Sequence, residues 1–331
     1  MPLFDLPLSA LETYAPSLPE PENLDEFWRT TLAEARAVPL DVTFNEVDNH
    51  YSLVTTYDVT FPGFGGDPIK GWLHVPATAT GPLATVVEYL GYSGGRGLAH
   101  QRQSYALAGY AHFVMDSRGQ GWNGTSGDTI DPHPSAGSNA VPGQMTHGIL
   151  EKNEYVYRRL ITDAVRAVEA AAVSPWVDAD RIVVAGGSQG GGLALLTASL
   201  GRGIRGALID VPFLCHFTRA ITITDAVPYS EIARYLSRYR EHTATVYDTL
   251  SYFDGAILAN RATVPALFSV ALMDVTCPPS TVFAAYNRYG GEKDIVVYPF
   301  NGHEGGAEAH EVERYRWLKA LFATNEGEAA A

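Results

Sequence analysis

A serine set among glycines, two aspartates that each follow an apolar run, and a histidine near the end of the chain carry most of the chemistry this sequence can offer. Gly186-Gly187-Ser188-Gln189-Gly190 matches G-x-S-x-G. It follows the apolar run Ile182-Val183-Val184-Ala185 and precedes the helix formers Leu193-Ala194-Leu195-Leu196, so a buried strand turns into a helix at the serine. Such a bend lifts the seryl Oγ clear of the sheet and aims the next backbone N–H, that of Gln189, at a developing oxyanion. Side chains at positions 186 and 190 would collide in so tight a bend, which is why glycine stands at both. Without its flanks the stretch reads as a Gly-rich turn with an incidental serine; with a strand before it and a helix after it, it reads as a nucleophile.

A serine nucleophile needs a general base, and the base needs an orienting acid. In α/β-hydrolases these follow the serine in the order acid, then histidine, each past a strand end. Asp274 directly follows the apolar run 266–272, and His303 follows the run 294–298 in Phe300-Asn301-Gly302-His303-Glu304. Asp210, after the short run 207–209, is the rival acid; His310 is the rival base but falls inside the last predicted helix. The usual position of the acid after a late strand favours Asp274. The second oxyanion donor is expected from the loop after an early strand, Gly91-Tyr92-Ser93-Gly94-Gly95, through the backbone N–H of Tyr92. Arg118, in Arg118-Gly119-Gln120-Gly121 after another strand end, could bind an anion, but an ion pair holding the active-site loops is favoured. No Gly-Lys-Ser/Thr follows the Gly-rich loop, which excludes a phosphate cradle. His303-Glu304 begins like H-E-x-x-H, but Ala307 stands where the second histidine would be, so no metal centre and no cofactor are expected.

The elements that must position these groups alternate. Asn23 can cap a helix that runs to about Ala35. Residues 52–61 and 69–75 form a hairpin, 84–90 a buried strand, 100–109 a helix and 112–116 a strand. Residues 118–148 form a loop too long for a compact domain unless it is functional. A strongly periodic helix spans 154–172, ahead of the nucleophile strand. Residues 212–262 break the alternation with helical patterns bearing Tyr229, Tyr235, Tyr239, Tyr247 and Tyr252, whose plain reading is packing. Alternation resumes with strand 266–272, helix 279–289, strand 294–298 and a helix over 306–322; the tail 325–331 is expected to be disordered. This pattern predicts a mostly parallel sheet flanked by helices. It is read as one α/β-hydrolase domain over 1–331, with an N-terminal extension of about 1–50 and a helical insertion at about 212–262.

The 331 residues are 18% charged and 46% apolar, a globular balance. The formal charge of −14, from 37 acids against 23 bases, is ill-suited to binding the phosphate backbone of a nucleic acid. Cys215 and Cys277 are too few for a disulfide framework; one bridge between them is the alternative, and two reduced, partly buried thiols are expected. The opening Met-Pro-Leu-Phe-Asp-Leu lacks a signal-peptide pattern and no window approaches a membrane span, so a cytoplasmic location is expected.

Taken together, Arg118-Gly119-Gln120, Gly186-Gly187-Ser188-Gln189-Gly190-Gly191 and His303-Glu304 resemble the signatures of carbohydrate esterase family 7, the acetyl xylan esterase and cephalosporin-C deacetylase group. Phe27-Trp28, Tyr157-Arg158-Arg159, Val211-Pro212-Phe213-Leu214-Cys215 and Cys277-Pro278-Pro279-Ser280-Thr281-Val282-Phe283 are similar as well, so the likeness covers about residues 22–322. The resemblance implies Ser188, Asp274 and His303 as triad, the Tyr92 and Gln189 N–H groups as oxyanion hole, and Arg118, Gln120 and Glu304 as support. It further implies deacetylation of short acetylated sugars and small acetyl esters, no cofactor, and a cytoplasmic homohexamer. Leu90 departs from the family, where a histidine is common before Gly-Tyr, and so does His147, where arginine is expected; both bear on the pocket mouth. Two rivals remain. A peptidase of the prolyl-oligopeptidase type would carry a propeller, which the roughly 50 residues before the hairpin cannot build. A non-catalytic hydrolase-fold binding protein would typically lack a triad member, and all three stand here.

Overall fold

The strand that carries Ser188 lies at the middle of a nine-stranded sheet. The computed structural model describes residues 3–328, with side chains as far as Ala323. In chain order the elements are α1 (Leu8–Leu11), α2 (Leu24–Ala37), β1 (Thr43–Val47), β2 (Val54–Pro62), β3 (Pro68–Pro76), β4 (Leu83–Tyr89), α3 (Ser104–Leu107), β5 (Ala111–Met115), α4 (Val156–Ala172) and β6 (Val177–Gly187). They continue with α5 (Gln189–Leu200), β7 (Gly206–Asp210), α6 (Phe217–Ile223), α7 (Tyr229–Arg238), α8 (Thr243–Ser251), α9 (Gly255–Leu258), β8 (Ala266–Ala271), α10 (Pro279–Arg288), β9 (Lys293–Tyr298) and α11 (Ala307–Glu328). The sheet order is β1-β2-β3-β5-β4-β6-β7-β8-β9. The first four strands in that order pair antiparallel, and every pairing from β5/β4 onward is parallel. This is an α/β-hydrolase fold.

Side-chain alternation explains why helices cover both faces. Along β6, Ile182 and Val184 point into the larger core, while Val183 and Ala185 point into a smaller one closed by Tyr105 of α3 and Leu318 and Phe322 of α11. The larger core holds α4, α5 and α10. The 212–262 stretch is helical, as its sequence predicts, and it packs on the N-terminal extension. Trp28 and Phe27 of α2 meet Phe253 edge-on at 5.7 and 5.8 Å, and the Trp28 indole N–H donates to the Tyr252 carbonyl at 2.8 Å. Tyr229 and Tyr252 are buried and Tyr239 is exposed, so packing accounts for the buried members of the aromatic series.

Several boundaries differ from the sequence expectation. Strand β1 lies inside the stretch expected to be a plain extension; none of its five residues is fully buried, so no apolar alternation announces it, and it owes its form to pairing with β2. The helix expected over 100–109 is a single turn, α3. Strand β6 starts at Val177, ahead of the polar Asp178 and Asp180 that hide its onset. The tail expected to be disordered over 325–331 is helical through Glu328, and its last three positions lie outside the described residues. No helix among the described residues is long and apolar enough to cross a membrane.

Candidate active site

At the end of β6 the chain turns through Ser188 with φ 58° and ψ −121°, a strained conformation for a residue with a side chain. The turn closes because its neighbours are bare. A Cβ on Gly190 would come within 2.1 Å of the Tyr89 carbonyl oxygen, and one on Gly186 within 2.4 Å of the Gly190 backbone. The bend is pinned from both sides. The Ser188 N–H donates to the Asp210 carbonyl at 3.0 Å, and the Ser188 carbonyl accepts from Gly192 and Phe213 at 3.0 and 2.9 Å.

Two loops at the same sheet edge bring the base and acid. Strands β8 and β9 are neighbours in register, Ala271 opposite Tyr298, so the loops that follow them run side by side. The Met273 N–H donates to the Asn301 carbonyl at 3.1 Å and ties them. His303 Nε2 lies 2.9 Å from Ser188 Oγ, and His303 Nδ1 lies 2.8 Å from Asp274 Oδ2. Asp274 is fully buried, and its other oxygen accepts the N–H groups of Thr276 and Cys277 at 2.7 and 2.9 Å. These contacts assign the proton of His303 to Nδ1 and leave Nε2 to accept from the serine. Glu304 does not join this chain. Its exposed carboxylate turns back onto the Gly302 N–H at 3.1 Å and the Asn301 amide, shaping the loop that carries His303. Those hydrogen bonds lower its pKa.

The rival acid and base pair with each other. Asp210 Oδ1 lies 2.7 Å from His310 Nε2, and Asp210 Oδ2 lies 3.4 Å from Arg314. Both residues face the same cavity of about 360 Å³ that Ser188, His303 and Leu90 line. Leu90 therefore does stand at the site, where its carbonyl also accepts from the Gln189 amide at 3.2 Å. His147 is not among the residues lining that cavity; its ring lies against Gly137, within the 118–148 loop.

The loop after β4 holds Tyr92. No acceptor among the described residues takes the backbone N–H of Tyr92 or that of Gln189. Gln189 opens α5, so nothing within its helix can accept its N–H. Gln120 links the two segments: its oxygen accepts the Ser93 backbone N–H at 2.9 Å and its amide donates to the side-chain Oε1 of Gln189 at 2.9 Å. Tyr157 donates to the same oxygen at 2.9 Å. Burial raises the Tyr157 pKa, so the phenol stays a donor. Arg118 is fully buried away from Ser188. Its guanidinium reaches Asp163 of α4 at 2.8 Å, Asp67 of the β2–β3 turn at 2.9 Å and Asp131 of the long loop at 3.2 Å. It binds loops together and presents no face to a substrate anion.

Sequence reasoning missed Glu231 of α7 as a site residue. Its carboxylate accepts from the Tyr92 phenol at 2.9 Å and from the N–H groups of Gly143 and Met145 at 3.2 and 3.1 Å. The intervening Gln144 N–H donates to the Tyr92 oxygen at 3.0 Å. Burial and the Glu231 charge raise the Tyr92 pKa, which keeps its proton in place. Nothing local marks Glu231, since its three partners lie more than 80 positions away. Cys277 was read only as a reduced thiol. It is fully buried against Ser188, and burial, with Asp274 and Cys215 adding, raises its pKa.

Known proteins are similar to this one along almost the whole chain. The structure is similar to an acetyl xylan esterase from Paenibacillus sp. R4, with a TM-score of 0.88 and 40% identity over 95% of this chain and 99% of that one. It is also similar to acetyl xylan esterase 1 from Thermoanaerobacterium sp. JW/SL YS485, with a TM-score of 0.87 and 32% identity over 96% of this chain and 100% of that one. The acetyl esterase Axe7A of Xylanibacter ruminicola is 26% identical over 311 residues, which are 93% of this chain and 69% of that protein. The family described as acetyl xylan esterase (AXE1) matches residues 1–321, and with a serine elbow, a histidine and a buried aspartate joined at one sheet edge, the chain belongs to that family of carboxylic ester hydrolases.

Proposed function

We propose that the protein is a serine esterase that removes acetyl groups from acetylated xylo-oligosaccharides and similar small acetyl esters, cephalosporin C included, through an acetyl-enzyme on Ser188. The observation that carries this reading is His303, held between Asp274 and Ser188 at hydrogen-bond distance on both sides. Ser188 Oγ attacks the acetyl carbonyl while His303 Nε2 takes its proton. The oxyanion that forms is met by the unspent N–H groups of Tyr92 and Gln189, which Gln120 keeps in place. Asp274 accepts the Nδ1–H and stabilises the imidazolium. His303 then protonates the leaving alcohol, water enters, and the same histidine activates it to release acetate.

Acyl size is set by the loop that supplies the Tyr92 N–H. The Tyr92 ring is held by Glu231 and by Trp122, which it meets edge-on at 5.3 Å. In so closed a slot an added methylene displaces packed atoms. That costs about 1–3 kcal/mol, more than the roughly 0.8 kcal/mol gained by burying it. On one common alcohol, kcat/KM should therefore fall from acetate to butyrate to octanoate, and Ser188→Ala should lower kcat by roughly 10³ or more with the fold intact. Highest activity on octanoate would remove the deacetylase reading, and wild-type turnover in folded Ser188→Ala would remove the nucleophile.

A further inference from the structure

A short turn, residues 275–278, joins Asp274 to helix α10, and that carboxylate has little room to move. Its Oδ2 must stay on His303 Nδ1 while its Oδ1 keeps the N–H groups of Thr276 and Cys277. Upstream the turn hangs on the sheet edge: the Asp274 N–H donates to the Ala271 carbonyl at 3.2 Å and the Met273 N–H to the Asn301 carbonyl at 3.1 Å. Downstream it runs into a helix that starts without a cap of its own. Pro278 and Pro279 carry no N–H, and no side chain beside the helix start accepts from its first turn. The Ser280 N–H is therefore the first that needs an acceptor.

The acceptor comes from the far end of the chain. Asp5 Oδ2 takes the Ser280 N–H at 2.8 Å, across 275 positions. Asp5 Oδ1 takes a proton of Arg219 Nη2, from α6, at 2.7 Å, and Arg219 Nε donates to Ser280 Oγ at 2.5 Å. Asp5, Arg219 and Ser280 thus close a ring at the first turn of α10. The Asp5 side chain is 1% exposed, so water does not compete for these bonds. We propose that Asp5 is a positioning residue for the esterase reaction: by capping α10 from the N-terminal arm, it holds the turn that presents Asp274 to His303. This rests on the triad reading above.

The physical reason is local. A carboxylate at a helix N-terminus satisfies a free N–H and meets the positive end of the dipole. Without it the buried Ser280 N–H has no acceptor, and the first turn of α10 shifts or frays to find one. The intervening turn is too short to absorb that movement, because the Thr276 and Cys277 N–H groups tie its backbone to the Asp274 carboxylate. Its other flank leans on the same ring. Thr224, at the end of α6, donates to the Val275 carbonyl, and α6 carries Arg219. Displacing an orienting group by about 1 Å costs up to about 10²-fold in rate. The ester itself is held at Ser188 and the Tyr92 loop, so the loss belongs in kcat and not in KM.

Steady-state kinetics on an acetyl ester in two backgrounds tests this. Asp5→Ala should lower kcat by about 10- to 100-fold, with KM within about threefold of wild type. Asp5→Asn keeps the size and one acceptor oxygen, so its loss should be about three- to tenfold, and it carries the test if the alanine variant does not fold. Tyr14→Phe loosens the same arm by removing the phenol that lies 3.1 Å from His216 Nε2, without touching Ser280, and should leave kcat within about twofold. In Asp274→Asn protein the orienting carboxylate is already gone, so either Asp5 substitution should lower the residual kcat by no more than about twofold. A general loosening of the fold would cost the same factor in both backgrounds. An equal loss in both backgrounds, or wild-type kcat in a folded Asp5 variant, overturns the proposal. Wild-type kcat in Asp274→Asn itself would remove the triad reading, and the proposal with it.

Discussion

Asp210 and Asp274 both follow strands, and what separates them is the histidine each holds. Asp274 lies 2.8 Å from His303 and Asp210 lies 2.7 Å from His310. An asparagine at 274 would present an amide donor to Nδ1, forcing the proton onto Nε2 and leaving no base for the serine. Asp274→Asn should therefore lower kcat by roughly 10⁴ with little change in KM. Asp210→Asn removes the charge that pairs with Arg314 but leaves the triad intact, so its cost should fall on stability, about 1–3 kcal/mol, with kcat within about tenfold of wild type. Kinetics and urea unfolding of both variants read the two effects separately; the reverse ranking of kcat would move the acid to Asp210.

At the scale of elements, α7 acts on the oxyanion loop through one carboxylate. Three successive backbone N–H groups, those of Gly143, Gln144 and Met145, converge on Glu231 and the Tyr92 phenol. Such a nest favours an anion, and the Glu231 carboxylate fills it. Glu231→Gln keeps the shape but turns a donor toward at least one of those N–H groups. The clamp on Tyr92 should loosen, lowering kcat/KM for acetate by about tenfold, the effect of one lost charged hydrogen bond. A merely destabilised protein would lose activity on all acyl chains alike. Here the butyrate-to-acetate ratio should rise instead, Tyr92→Phe should reproduce part of the rise, and the double variant should fall short of additivity. An unchanged ratio in Glu231→Gln would show that α7 does not govern the slot.

Across the whole molecule, the sheet carries a buried polar seam whose protonation sets acid sensitivity. His74 on β3 lies in register with His112 on β5, which pairs with Glu88 of β4 at 2.9 Å. His74 is fully buried and accepts from, or donates to, Thr56 at 2.9 Å. Burial, with the neighbouring His112, lowers its pKa from 6.5 to about 3. Between those values the unfolded chain binds a proton that the folded chain refuses, so stability falls as pH falls through this window. From about pH 6.5 to about pH 5 the loss should be about 2 kcal/mol. The Glu88 carboxyl, whose pKa is lowered to about 2, adds its own loss only below its ordinary 4.5. Urea unfolding near pH 7 and near pH 5 should show the difference, and His74→Asn should remove most of it; an undiminished difference in that variant would assign the acid sensitivity elsewhere.

The sequence by itself determined what contiguous residues can encode. Strand, glycines, serine and helix around Ser188 are neighbours in the chain, so steric exclusion at Gly186 and Gly190 and the change of hydrophobic period announce the elbow locally. The alternation that predicts a parallel sheet is legible for the same reason, and so is the helical character of 212–262. Pairings between distant segments were decided only by the tertiary structure. His303 meets Ser188 across 115 positions and Tyr92 meets Glu231 across 139. Chain order favours Asp274 over Asp210 as the acid, but only β8 and β9 lying side by side bring Asp274 to His303. Strand β1 and the approach of Cys277 to Ser188 are of the same kind. Each depends on which loop packs against which, a property of the folded sheet edge that no local propensity records.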